Sequence, residues 1–117
     1  MSKKTVGVLG ERKSVDYLKS KKYKILITNY RCKYGEIDII AQKDSILIFI
    51  EVKTRNSLSF GRGMETVNYK KQQRIRKTAL YFLQETKIPF KGLRFDVIDI
   101  LNQGTKSSDI IHIKNAF

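Results

Sequence analysis
The sequence predicts an α/β (α+β) domain, helices laid on a central mixed β-sheet, in the order αβββαβ(β). Three observations carry this. Two stretches place apolar residues at helical spacing, four runs are rich in β-branched and aromatic residues, and the first three of those runs stand together between the helices. At 117 residues, with 41% hydrophobic content, six Phe and six Tyr, the chain can bury roughly two thirds of the surface its unfolded form would expose. No Pro/Ser-rich linker or repeat divides it, so residues 1–117 are expected to form one domain.

From about Val6 to Lys22, Val8, Val15 and Leu18 recur at helical spacing. At about 100° per residue Glu11 projects within roughly 20° of Leu18, so an acid sits on the apolar stripe. Tyr23 to Arg31, Gly35 to Gln42 and Ser45 to Lys53 read as strands. The polar Lys43-Asp44-Ser45 between the last two predicts an antiparallel hairpin. Thr54 to Gly63, with two glycines and no periodicity, reads as a loop. Met64 to about Thr86 reads as a second helix with Val67, Ile75, Ala79, Phe82 and Leu83 on its apolar side. Pro89 and Gly92 bracket a turn, Leu93 to Ile100 reads as a strand, and Asp109 to Ile113 as a short final one.

The chain carries 24 Lys+Arg against 11 Asp+Glu, a formal net charge of +13. Such an excess points to a polyanionic partner, a nucleic acid or an anionic membrane surface. Its placement favours nucleic acid, probed from one segment. Between Lys53 and Lys77 stand eight basic residues and one acid, Glu65. Within it Lys70, Arg74 and Lys77 line one side of the second helix with Lys71 beside them, and Arg55 and Arg62 lie on the loop. These six are candidate phosphate contacts, although a solvated helix face would have the same composition. Tyr30, Tyr34, Phe60 and Tyr69, interleaved with basic residues, can either stack on unpaired bases or pack in the core. The longest apolar run, Ile46 to Ile50, falls far short of the roughly 20 residues of a membrane helix. No membrane span or secretory signal is expected, and the single Cys32 fits a reducing cytoplasm and excludes a multi-Cys zinc site.

The chemistry is predicted at the hairpin. A turn centred between Asp44 and Ser45 pairs residues whose numbers add to 89, which sets Asp38 opposite Glu51 and Glu36 opposite Lys53, all on one face. Opposed Cβ atoms lie about 4.5–5.5 Å apart, and like charges there destabilise a sheet. Two carboxylates so placed call for a cation, and hard oxygen donors suit Mg²⁺ or Mn²⁺. Glu11 can add a third carboxylate if the first helix packs over this end. Lys53 would set an ammonium beside an attacking water or a scissile phosphate. The pairing depends on a two-residue turn, since a three-residue turn would break it, and Asp-Ser is a weaker turn signal than Asn-Gly. Elsewhere, Arg94 and Asp96 share a strand face and are expected to form a structural pair. His112, the only histidine, has no evident partner and reads as a strand residue.

An acid on the first helix (Glu11), an Asp on one strand (Asp38) and Glu51-Val52-Lys53 on the next resemble the PD-(D/E)xK nuclease superfamily. Gly10-Glu11, Asn29-Tyr30-Arg31, GEIDII at 35–40, FIEVKTR at 49–55, Phe60-Gly61, Lys71-Gln72, RFDVI at 94–98 and Asn115-Ala116-Phe117 resemble the YraN-like family, small bacterial proteins similar to Holliday-junction resolvases. The resemblance runs over essentially the whole chain. It implies a restriction-endonuclease-like core, with Asp38, Glu51 and Glu11 as metal-binding acids, the Val52 carbonyl as a further ligand and Lys53 as the catalytic lysine. It further implies a Mg²⁺- or Mn²⁺-dependent endonuclease on branched or structured DNA, and a homodimer. Gln72 matches either a glutamine found near such sites or an ordinary helix-flank residue. The alternative is a non-catalytic nucleic-acid-binding protein on the same fold.

Overall fold
The computed structural model describes residues 3–55, 67–101 and 110–117. Its elements are α1 (Lys3–Ser20), β1 (Lys24–Cys32), β2 (Gly35–Lys43), β3 (Ile46–Arg55), α2 (Tyr69–Thr86), β4 (Gly92–Leu101) and β5 (Ile110–Ile113). The expected helices and strands are present in the expected order. Arg62, Phe60 and the proposed helical start at Met64 lie outside the described residues.

The strands form one sheet in the order β1-β2-β3-β4-β5, antiparallel except for the parallel β3–β4 pair. A parallel pair cannot be joined by a tight turn, and α2 lies in the β3–β4 crossover. It covers one face of the sheet while α1 covers the other. That sandwiching explains the apolar run of β3: Leu47, Ile48, Phe49 and Ile50 are all buried, alternating between the two faces. On the α2 face, Ile75, Ala79 and Phe82 pack with Ile37, Leu47, Phe49, Phe95 and Val97. Phe82 meets Tyr30 and Phe49 edge-on, with ring centroids 5.1 and 6.1 Å away. On the α1 face, Leu18 packs with Ile39, Ile48, Ile50, Ile98 and Ile100. The five-stranded mixed sheet with a helix on each face is compatible with the restriction-endonuclease-like core.

Both helices end by left-handed caps. Lys22 takes φ 70°, Lys22 N–H donates to the Lys19 carbonyl and Tyr23 N–H to that of Leu18, so α1 stops and the chain turns into β1. Lys87 ends α2 in the same conformation, its N–H on the Leu83 carbonyl. At the other end Asn68 caps α2, its side-chain oxygen accepting the Lys71 N–H at 2.9 Å. Helix 2 therefore starts at Tyr69. Among the described residues no helix is long and apolar enough to cross a membrane.

Candidate functional site
The β2–β3 hairpin has the register that places the two acids. Lys43 pairs with Ile46, Ala41 with Ile48 and Ile39 with Ile50, and Asp44 and Ser45 both take positive φ, 53° and 66°. These are the signs of a two-residue type I′ turn. The ladder stops at Ile39–Ile50, one step short of Asp38 and Glu51. There the Asp38 carboxylate replaces a backbone acceptor, taking the Val52 N–H on Oδ2 at 2.8 Å. Beyond this point a cleft of about 440 Å³ opens, lined by Gly35, Glu36, Asp38 and Glu51 from the sheet and by Lys71, Arg74 and Ile75 from α2.

Two of the acids, Asp38 and Glu11, are displaced from their ordinary protonation. Burial and the neighbouring Glu51 charge push the Asp38 carboxyl up to about 7, against the pull of the Val52 N–H; Glu11 and Glu36 add to the rise. Glu11 is also raised, by burial and by Glu36, with an Asn29 hydrogen bond and the Arg31 charge opposing. Its Oε1 is buried with no hydrogen-bond partner among the described residues. Glu11 reaches this end of the sheet because the helix comes very close there: a Cβ added at Gly10 would overlap the Thr54 hydroxyl. Asn29, at φ 54° within β1, turns its amide to Glu11, a conformation Asn tolerates better than the β-branched residues around it. Asn29 is a site residue that strand-pattern reasoning passed over. An Asn inside a strand-forming run was the available signal.

Lys71 is the principal counter-charge in the cleft. Its Nζ donates to Glu51 Oε1 at 2.5 Å. The stripe residues Lys70, Arg74 and Lys77 are exposed along α2, and Arg74 alone of the three lines the carboxylate cleft. Lys53 stands two residues past Glu51 in β3, in parallel register with Asp99 of β4. Arg55 belongs to β3 rather than to a loop: its side chain is 11% exposed and its Nε lies 3.5 Å from the buried Asp99 carboxylate. Glu36 sits across from Arg31 of β1, Nε to Oε1 3.4 Å, while on the β3 side the paired ladder ends before it reaches Lys53. Gln72 donates to the Val67 carbonyl at 2.7 Å, which ties it to the entry of α2. Tyr30 packs in the core, whereas Tyr34 and Tyr69 are exposed.

The opposite face holds a second polar cluster. Asp96, fully buried, takes both Arg94 nitrogens, with Nε 2.9 Å from Oδ1 and Nη2 2.9 Å from Oδ2. The expected pair is therefore present. His112 corrects the expectation of an unpartnered strand residue: its Nε2 lies 2.7 Å from Asp96 Oδ2 and its Nδ1 3.1 Å from the Tyr17 hydroxyl. The Asn115 N–H completes the set at 3.0 Å. Burial alone would raise Asp96, yet the His112, Arg94 and Asn115 hydrogen bonds outweigh it and hold the carboxyl below its ordinary value.

A cation suits the carboxylate cleft by the chemistry of its donors. Asp38 and Glu51 offer hard oxygens, and a positive charge there would offset both the burial and the Glu51 repulsion that raise Asp38. Among the described residues no three His, Cys, Asp or Glu side chains converge closely enough to hold one ion. Glu11 acts on the pair through its charge, which adds to the rise of Asp38.

Comparison with known proteins agrees over most of the chain. The family described as Uncharacterised protein family UPF0102 matches residues 10–100. A UPF0102 protein of Caldicellulosiruptor bescii is 49% identical over 119 aligned residues, covering all of both chains. Another, of Sulfurihydrogenibium sp., is 46% identical over 117 residues, covering all of this chain and 97% of its own. A match of this extent, at this identity and over the segment that builds the cleft, places the chain in the UPF0102 family.

Proposed function
We propose that the protein is a metal-dependent endonuclease that hydrolyses phosphodiester bonds in branched or otherwise structured DNA. The observation that carries the proposal is the Asp38–Glu51 pair, two carboxylates kept side by side at the end of buried strands although burial and their repulsion together lift Asp38 to about 7. A fold gains no stability from that arrangement; a cation site does. Asp38 and Glu51 would hold Mg²⁺ or Mn²⁺, with the Val52 carbonyl beside them and Glu11 adding negative field. Bound there, the ion would lower the pKa of an attacking water and offset charge on the phosphate. Lys53 would orient that water, and Lys70, Lys71, Arg74 and Lys77 would hold the flanking phosphates. Two copies of the chain would suit a substrate with paired strands to cut.

A cleavage panel of four-way junction, flap, duplex and single-stranded DNA in Mg²⁺ and Mn²⁺ tests the reading. Wild type should release product on at least one substrate, and Asp38→Ala, Glu51→Ala and Lys53→Ala should each lose at least about a hundredfold in rate. Equal rates for the variants would sink it. The second reading, a nucleic-acid-binding protein without turnover, draws on the Lys71–Glu51 ion pair, which satisfies Glu51 without a metal. It expects salt-sensitive binding and no product with either ion.

A further inference from the structure
Beside the carboxylate cleft, a second cleft of about 490 Å³ opens between the β1–β2 turn and the outer side of α2, lined by Lys33, Tyr34, Lys77, Leu80, Tyr81 and Gln84. The two clefts share a seam. On the turn, Gly35 lines the first and Tyr34 the second; on α2, Arg74 lines the first and Lys77, about one helical turn on, the second. Gly35 brings the turn against the helix. It has φ +154°, and a Cβ there would lie 3.2 Å from the Thr78 hydroxyl and 3.8 Å from Arg74 Cβ.

The lining is aromatic and cationic together. The Tyr34 and Tyr81 rings meet edge to face, centroids 6.1 Å apart, and the Lys33 ammonium sits 5.2 Å from the Tyr34 centroid. Tyr34 is 41% and Leu80 58% exposed, so apolar surface faces water at the floor and rim. Rings beside ammonium groups suit a ligand that alternates flat apolar faces with negative charges. An unpaired nucleic-acid strand has that alternation; a duplex has already stacked its bases and offers the rings nothing. An acidic peptide would satisfy Lys33 and Lys77 and leave the exposed Tyr34 ring without a partner.

We propose that this cleft binds an unpaired strand of nucleic acid running on from the carboxylate cleft along the α2 seam, with bases stacked on Tyr34 and Tyr81 and phosphates met by Lys33 and Lys77. The proposal rests on the phosphodiester reading of the neighbouring cleft and gives it a substrate class, DNA with a single-stranded arm. Binding is measured in EDTA, where no cleavage occurs, by anisotropy of a labelled oligothymidylate of about 20 nucleotides and of a blunt duplex of equal length. Tyr34→Ala/Tyr81→Ala should weaken oligothymidylate binding about tenfold or more and change duplex binding by less than about twofold. Tyr34→Phe/Tyr81→Phe, which keeps the ring faces, should bind as wild type does, and Lys77→Glu should weaken the oligothymidylate more than the duplex. No wild-type binding to oligothymidylate, unchanged binding in the double alanine variant, or equal losses on both probes would overturn the proposal. Ring-dependent strand binding in a protein that cleaves nothing in Mg²⁺ or Mn²⁺ would support this cleft while removing the nuclease reading.

Discussion

Lys71 of α2 is ion-paired with Glu51 of β3 across the cleft, Nζ to Oε1 2.5 Å. A cation from another element therefore already stands on one of the two acids that would hold a metal. On the proposed metal-dependent reading, Lys71 and a divalent ion would compete for that oxygen, and ion entry would free the ammonium for a phosphate. The Lys71 side chain is 44% exposed, so solvent screens the pair and its net worth is modest. Lys71→Met should raise Mn²⁺ affinity about two- to fivefold, read by electron paramagnetic resonance. The same variant should bind DNA more weakly, with the salt slope reduced by about one. Unchanged Mn²⁺ affinity would show that the ion pair does not compete.

Asp38 gives a pH signature. Its carboxyl sits near 7 in the fold against an ordinary 3.8, so the proton it holds stabilises the folded state fully below about pH 4. That contribution is lost as pH rises through about 7. Asp38→Asn, neutral throughout and still able to accept the Val52 N–H, should match wild type near pH 4. At pH 8 it should be the more stable by on the order of 2 kcal/mol, several degrees in Tm. Adding Mg²⁺ at pH 8 should raise the wild-type Tm more than that of the variant. A less stable Asp38→Asn protein at pH 8 would contradict this account.

Gly35 joins turn and helix, and its replacement tests that joint. Thr78 cannot easily yield, since its hydroxyl donates to the Arg74 carbonyl at 2.8 Å and the residue is fully buried. Gly35→Ala should lower stability by about 1–3 kcal/mol, from backbone strain and the close contact together. Denaturant unfolding measures it; a loss under about 0.3 kcal/mol would mean that the turn shifts freely.

The Asp96 cluster should be a stability element separate from the chemistry. Asp96→Asn leaves Arg94 and His112 without their shared anion, and a loss of about 2–4 kcal/mol in urea unfolding at pH 7 is expected. Because the folded carboxyl lies below its ordinary value, its contribution is present above about pH 4 and falls away in stronger acid. The gap between wild type and variant should narrow at pH 3. Cleavage by the folded fraction should be unaffected, since the cluster faces α1; a selective loss of rate would place Asp96 in the reaction.

What the sequence disclosed, and what it concealed, follows range of interaction. The hairpin register was legible because period-two alternation and a two-residue turn are local, and together they set Asp38 beside Glu51. The end of the ladder was not, since it depends on one carboxylate taking the Val52 N–H. Lys71 was visible only as one cation among many; its place on Glu51 is made by the α2 crossover, twenty residues further on. Arg55 read as a loop residue because β3 outlasts its apolar run and is held at its end by Asp99. His112 lacked a partner in sequence because Tyr17 lies 95 positions away and meets it only when α1 is docked.

The Asp44-Ser45 turn has a consequence for the length of the chain. Side chains in β3 alternate between two differently furnished faces, α2 with its cations on one side and α1 with its aliphatic residues on the other. Inserting one residue at the tip while the turn stays at two residues would slip the register by one and turn Glu51 and Lys53 toward α1 and Val52 toward α2. Inserting two would restore their directions. The hairpin tip, at the far end of the strands from the acids, thus fixes a parity for the site, and changes of length there are tolerable in even steps only.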